Sequence, residues 1–114
     1  MEERVGEAFE LDERLTVVGG KVRPGDPAPD FNLDSFDPIN ANMQSVKLAD
    51  SSGMVRILNV VNSLDTPVCH TETRHWEKVR AELPSNIYIY TVSMDLPFAQ
   101  ARWRTAEDVT PQTL

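Results

Sequence analysis

The densest apolar run of the chain lies between Met54 and Val61, where Val55, Ile57, Leu58, Val60 and Val61 are interrupted by Arg56 and Asn59. Rich in β-branched residues and without strict alternation, it predicts a central strand covered on both faces. Beyond the next turn, Val68, Trp76, Val79 and Leu83 fall on one helical stripe, and Pro84-Ser85-Asn86 closes that helix. Ile87 to Val92 reads as a second strand. Strand, helix and strand in this order predict a right-handed crossover between parallel strands, and sites in such sheets gather beyond the carboxyl ends of strands. A second helix is predicted from Pro97, after Asp95, carrying Phe98, Ala101 and Trp103 toward Glu107.

The first half is more broken. Ala8 to Val18 predicts a hairpin, with Phe9 and Leu11 before a turn at Asp12-Glu13-Arg14 and with Leu15, Val17 and Val18 after it; Gly19-Gly20 ends it. Arg23-Pro-Gly-Asp-Pro-Ala-Pro-Asp30 is an extended connector, because each proline gives up a donor and restricts its neighbour. Short strands are predicted at Phe31 to Leu33 and at Val46 to Leu48, with Asp34 to Gln44 as a loop between them and a turn at Ser51-Ser52-Gly53. After Val109 the chain stops early, as though an element were missing.

Length and charge narrow the function. The 114 residues suit one core, and a net charge of -7, from 18 acidic and 11 basic residues, leaves no basic stripe for nucleic acid. The longest apolar stretch is far too short for a membrane span, and Met1-Glu2-Glu3 is no signal peptide, so a cytoplasmic protein is expected.

The single cysteine, Cys69, decides where the chemistry is sought. Thr66 is a favoured N-cap residue and Pro67 suits the first helical position, which puts Cys69 third in the helix, where unpaired amide groups and the macrodipole favour a thiolate. An ordinary thiol is ionised to less than about a tenth near neutral pH, so such a site raises the reactive fraction roughly tenfold. Speed also requires hydrogen bonds aimed at the bond being broken, and the Thr66 hydroxyl, three residues before the sulfur, is placed to donate or accept. Peroxide is the natural electrophile: attack on its O–O bond yields a sulfenic acid that another thiol must reduce.

The run Ser63-Leu-Asp-Thr-Pro-Val-Cys69, with Arg74 and then Asp95-Leu-Pro-Phe-Ala-Gln100 and Arg102-Trp103, closely resembles the thiol peroxidase branch of the bacterial peroxiredoxins. The resemblance extends from Phe9 to about Gln112. It implies an α/β, thioredoxin-like fold over residues 1–114, with an N-terminal β-hairpin in 1–22 and an α/β core in 23–114 that lacks its closing elements. It further implies reduction of hydrogen peroxide or organic hydroperoxides, Cys69 as peroxidatic cysteine and Thr66 as its hydroxyl partner. Asn62, Pro67 and Val68 would form the pocket, thioredoxin or another thiol would be the reductant, a homodimer is possible, and no metal or other cofactor is needed. Three positions depart from the family: Asn62 stands where it has proline, Arg104 where many members carry a resolving cysteine, and its downstream arginine would fall beyond Leu114. The chain is therefore expected to be the front part of a longer protein.

Blander roles stand beside these. A lone cysteine after an apolar strand is commonly a small buried hydrophobe. Thr66 is by itself an N-cap. His70 and His75 are five residues apart and face different sides of a helix, unsuited to a shared metal. Arg74 and Arg104 are expected to pair with acids such as Glu77 or Glu107, and Trp76 and Trp103 to bury area in a core or interface. The competing function is a redox-inactive or redox-sensing thioredoxin-like binding module.

Overall fold

The computed structural model describes residues 1–110 and 112–114. Four strands, β1 (Glu3–Glu10), β2 (Glu13–Val18), β3 (Asn32–Asp37) and β4 (Asn42–Lys47), precede a central sheet of β5 (Val55–Val60), β6 (Ile87–Val92) and β7 (Gln112–Thr113); β5 and β6 run parallel, in register from Val55 opposite Ile87 to Val60 opposite Val92. Helix α1 (Pro67–Glu82) connects β5 to β6, and α2 (Pro97–Glu107) connects β6 to β7, a short parallel third strand that sequence periodicity did not announce.

Helix α1 packs differently from the predicted stripe. Val68 is 77% exposed, Trp76, Val79 and Leu83 are half-buried, and the fully buried residue is Thr73, at 0%. The buried face starts at Cys69 and runs through Thr73 and Trp76, one helical turn at a time. A polar contact sets it: Asn59 of β5 donates through Nδ2 to the hydroxyls of Thr73 and Thr91, both at 3.3 Å.

On the opposite face, Tyr90 of β6 is buried with Val46 and Leu114, and Phe31, Leu33 and Val92 pack around them. The rings of Phe31 and Tyr90 meet edge to face at 5.9 Å. This cover comes from a hairpin of β3 (Asn32–Asp37) and β4 (Asn42–Lys47), which replaces the loop expected over Asp34 to Gln44. Polar residues pair across it, Asp34 with Ser45 and Ser35 with Gln44, so the strands carry no apolar alternation. The Asp37 carboxylate builds the turn, accepting the backbone N–H groups of Ile39 (2.9 Å) and Asn40 (3.3 Å) and the Asn40 side-chain amide (2.7 Å). Leu48–Ser51 then forms a 3-10 turn where the sequence suggested the end of a strand. The β3–β4 hairpin does not reach across β5, whose Leu58 and Val60 stay exposed, Val60 at 74%. The expectation of a strand covered on both faces therefore fails for this face.

The N-terminal hairpin pairs β1 (Glu3–Glu10) with β2 (Glu13–Val18), starting five residues earlier than predicted and turning at Leu11 and Asp12. A bulge between Val5 and Ala8 holds Gly6 at φ +72°, a conformation that favours glycine. Helix α2 buries Gln100, Ala101 and Trp103, leaves Phe98 exposed against Phe36, and ends on Asp108 in the left-handed region.

Candidate active site

The carboxyl end of β5 leads through Val61 to Thr66 into α1. Thr66 holds the extended N-cap conformation (φ -75°, ψ 140°) and Pro67 opens the helix, so Cys69 occupies its third position, as the sequence predicts. The Thr66 hydroxyl does not cap α1. Its Oγ1 donates backward to the Ser63 carbonyl at 2.8 Å, because the tight turn that brings Thr66 N–H to the same carbonyl sets that oxygen beneath the hydroxyl.

Cys69 is half-buried and packs against the cluster of Val61, Leu64, Trp103 and Val109. Its thiol pKa is lowered, first by the Thr66 hydroxyl, against which burial pushes up; backbone hydrogen bonds from Asn62 and Ser63 lower it further, and the Glu72 charge opposes them. A hydroxyl has one proton, so Thr66 either donates to Ser63 or turns it toward the sulfur. The Ser63 contact suits the neutral thiol, and the turned hydroxyl suits the thiolate. The backbone donors come from the loop before α1 rather than from the amides of its first turn. Side chains in a helix lean toward its N-terminus, so a third-position sulfur overhangs the preceding loop. A proline at position 62 would have no N–H to offer the sulfur.

That loop is held from below by Asp95, in the loop between β6 and α2. Its carboxylate accepts Leu64 N–H at 2.8 Å, Ser63 Oγ–H at 2.7 Å and Ser93 Oγ–H at 2.9 Å. Burial pushes the Asp95 pKa up, but these three hydrogen bonds outweigh it and the net shift is downward. Gln100 of α2 extends the network, donating to Ser93 Oγ at 3.0 Å. Sequence reasoning used Asp95 as a boundary marker and as the first residue of the Asp95-Leu-Pro-Phe-Ala-Gln100 block, and gave it no role in the site.

Beside the sulfur, the Trp103 indole donates from Nε1 to His70 Nδ1 at 3.0 Å, and Glu107 Oε1 lies 3.8 Å from His70 Nε2. Arg74 meets Glu107 at 3.4 Å, one of the expected acid partners. Arg104 does not pair with an acid: its Nη2 donates to the Thr110 carbonyl at 2.9 Å, and its buried Nε has no partner among the described residues. Glu77 instead holds Arg80 at 3.2 Å and accepts both Thr110 N–H and Oγ–H, at 2.8 and 2.9 Å. Pro67 and Val68 are exposed and line a shallow depression on α1 with Thr71, Glu72 and His75; Asn62 reaches Cys69 through its backbone. His70 and His75 stand apart, and no three metal-ligating side chains gather among the described residues.

A parallel βαβ unit with a half-buried cysteine at the first turn of its helix defines a thioredoxin-like, peroxiredoxin type of protein. The AhpC/TSA family profile matches residues 24–114, and the chain belongs to that family. The thiol peroxidase of Bacillus subtilis (strain 168) is 41% identical over 95 residues, which cover 83% of this chain and 53% of that protein. The chain thus spans about half the length of the curated relatives it matches. Among solved structures, a peroxiredoxin-like protein from Aquifex aeolicus superposes with a TM-score of 0.70 at 31% identity, over 86% of this chain and 54% of that one. A thiol peroxidase from Chromobacterium violaceum gives 0.68 at 22% identity, over 91% and 58%, a likeness of fold. No helix among the described residues is long and apolar enough to cross a membrane.

Proposed function

We propose that the protein is a thiol-dependent peroxidase, acting on hydrogen peroxide and organic hydroperoxides in the cytoplasm, with Cys69 as nucleophile. The Cys69 thiolate attacks the outer oxygen of a hydroperoxide; the S–O bond forms as the O–O bond breaks. The departing oxygen takes a proton and leaves as water or an alcohol, and the sulfur becomes a sulfenic acid. An external thiol, thioredoxin or a similar dithiol protein, then attacks that sulfur, releases water and regenerates Cys69 through a mixed disulfide. Thr66 is assigned the hydroxyl that turns to the thiolate and orients the bound peroxide.

One observation carries the reading: a half-buried sulfur at the start of α1 whose pKa is drawn down by Thr66 and by the Asn62 and Ser63 backbone. Stopped-flow measurement of peroxide consumption tests it. The expected result is a rate far above that of free cysteine, abolished by Cys69→Ser and reduced on the order of 10²-fold by Thr66→Val, with partial recovery in Thr66→Ser. A rate equal to that of free cysteine overturns the proposal and leaves a binding module with this fold.

A further inference from the structure

The hydrogen bond between Trp103 and His70 joins residues 33 apart in sequence and ties the first turn of α1, which carries Cys69, to α2. Its direction is dictated by chemistry: an indole nitrogen only donates, so His70 Nδ1 must be a bare acceptor, with the imidazole proton on Nε2. The two rings stand edge to face, 5.5 Å apart at 89°, and the indole is at once the donor and part of the buried wall against which Cys69 packs. We propose that neutral His70 is a positioning residue that latches the Cys69 turn onto Trp103, and that protonation of its imidazole opens the latch.

A proton added at Nδ1 sets two donors against each other across 3.0 Å. The charged groups facing the imidazole pull in the other direction only weakly. From α2 there is Glu107, 3.8 Å from Nε2, and from α1 there is Arg74, one turn on, which already occupies that carboxylate at 3.4 Å; the adjacent Cys69 is the third titratable neighbour. A half-buried imidazolium–carboxylate pair whose carboxylate is shared with Arg74 favours its contact about twofold, whereas a buried indole N–H left without an acceptor shifts an equilibrium about tenfold. Opening wins. Trp103 then loses its hold on the first turn, and Cys69 becomes more accessible as the pH falls. What this does to turnover rests on the peroxidase reading; the latch itself does not.

Amide and indole ¹H–¹⁵N spectra of the protein test it, with Trp103→Phe assigning the indole signals of Trp103 and Trp76. Between about pH 8 and about pH 5, the range in which histidines titrate, the Trp103 indole N–H signal is expected to move upfield as its hydrogen bond is lost. In His70→Asn the amide oxygen replaces Nδ1 as a non-titrating acceptor, and the signal stays put. Cys69 alkylation rates, each divided by the thiolate fraction that the same protein shows by ultraviolet absorbance, should give a wild-type to His70→Asn ratio that rises about fivefold over the same range. A wild-type indole signal that does not move, or one that moves equally in His70→Asn, overturns the latch. Responding signals with no peroxide consumption leave the latch standing and remove the peroxidase; rapid consumption with silent signals does the reverse.

Discussion

Replacing Asp95 by alanine strikes the loop beneath Cys69 without touching the sulfur. Three donors lose a charged acceptor at once: Leu64 N–H, Ser63 Oγ–H and Ser93 Oγ–H, at 2.8, 2.7 and 2.9 Å. The two serine hydroxyls can rotate to water, but Leu64 is 2% exposed and its amide is poorly served elsewhere. One unsatisfied backbone donor together with the loss of charge-assisted bonds corresponds to about 2 to 3 kcal/mol in Asp95→Ala. Asp95→Asn keeps one oxygen for Leu64 and offers its NH₂ to Ser63, so it costs about 1 kcal/mol. The sign of the pH dependence follows from the lowered Asp95 pKa. The stabilisation is complete above the pKa of an unfolded aspartate, about 4, and is lost as the pH falls through the lower folded value, so the gap between wild type and Asp95→Ala narrows in acid. Equilibrium urea unfolding at neutral pH and in acid measures both quantities, and Cys69 alkylation reports whether the loop has loosened. A loss below about 0.5 kcal/mol in Asp95→Ala at neutral pH, or a gap that widens in acid, refutes the scaffold role of this carboxylate.

Other substitutions probe separate links. Asn62→Pro deletes a backbone donor to the sulfur, so the pH profile of Cys69 alkylation should move to higher pH; a move to lower pH contradicts the loop-amide account. Leu64→Ala opens a cavity in the cluster with Val61, Trp103 and Val109 and should cost about 3 kcal/mol by urea unfolding, with faster Cys69 alkylation. Thr73→Val removes an acceptor from buried Asn59 at nearly constant volume and should cost about 1 kcal/mol, whereas a gain in stability would show that contact to be idle.

Local chemistry was legible where the sequence itself writes it. The apolar run of β5, the Thr66-Pro67 opening of α1, the strand at Ile87 and the start of α2 at Pro97 were all readable, and together they put Cys69 at the third helical position. Whatever depends on direction or distant partners was not. The β3–β4 hairpin escaped because its strands are polar and its turn is made by one aspartate side chain rather than by a glycine pair. Thr73 escaped because its burial is justified by Asn59, on another element. The Asn62 and Ser63 amides escaped as influences on the sulfur, since the backward lean of helical side chains is a three-dimensional fact. His70, weighed as a metal ligand, proved to be the acceptor for an indole 33 residues away.

The bulge at Gly6 has a consequence for solubility. An exposed two-stranded ribbon bearing Val5, Phe9 and Val18 on its surface resembles the template from which intermolecular sheets grow. The backbone at Gly6, held at φ +72°, breaks the row of amides on β1 and pinches the ribbon. A β-branched residue there would straighten the strand and present a continuous edge to its neighbours, exchanging a local irregularity for a route to aggregation.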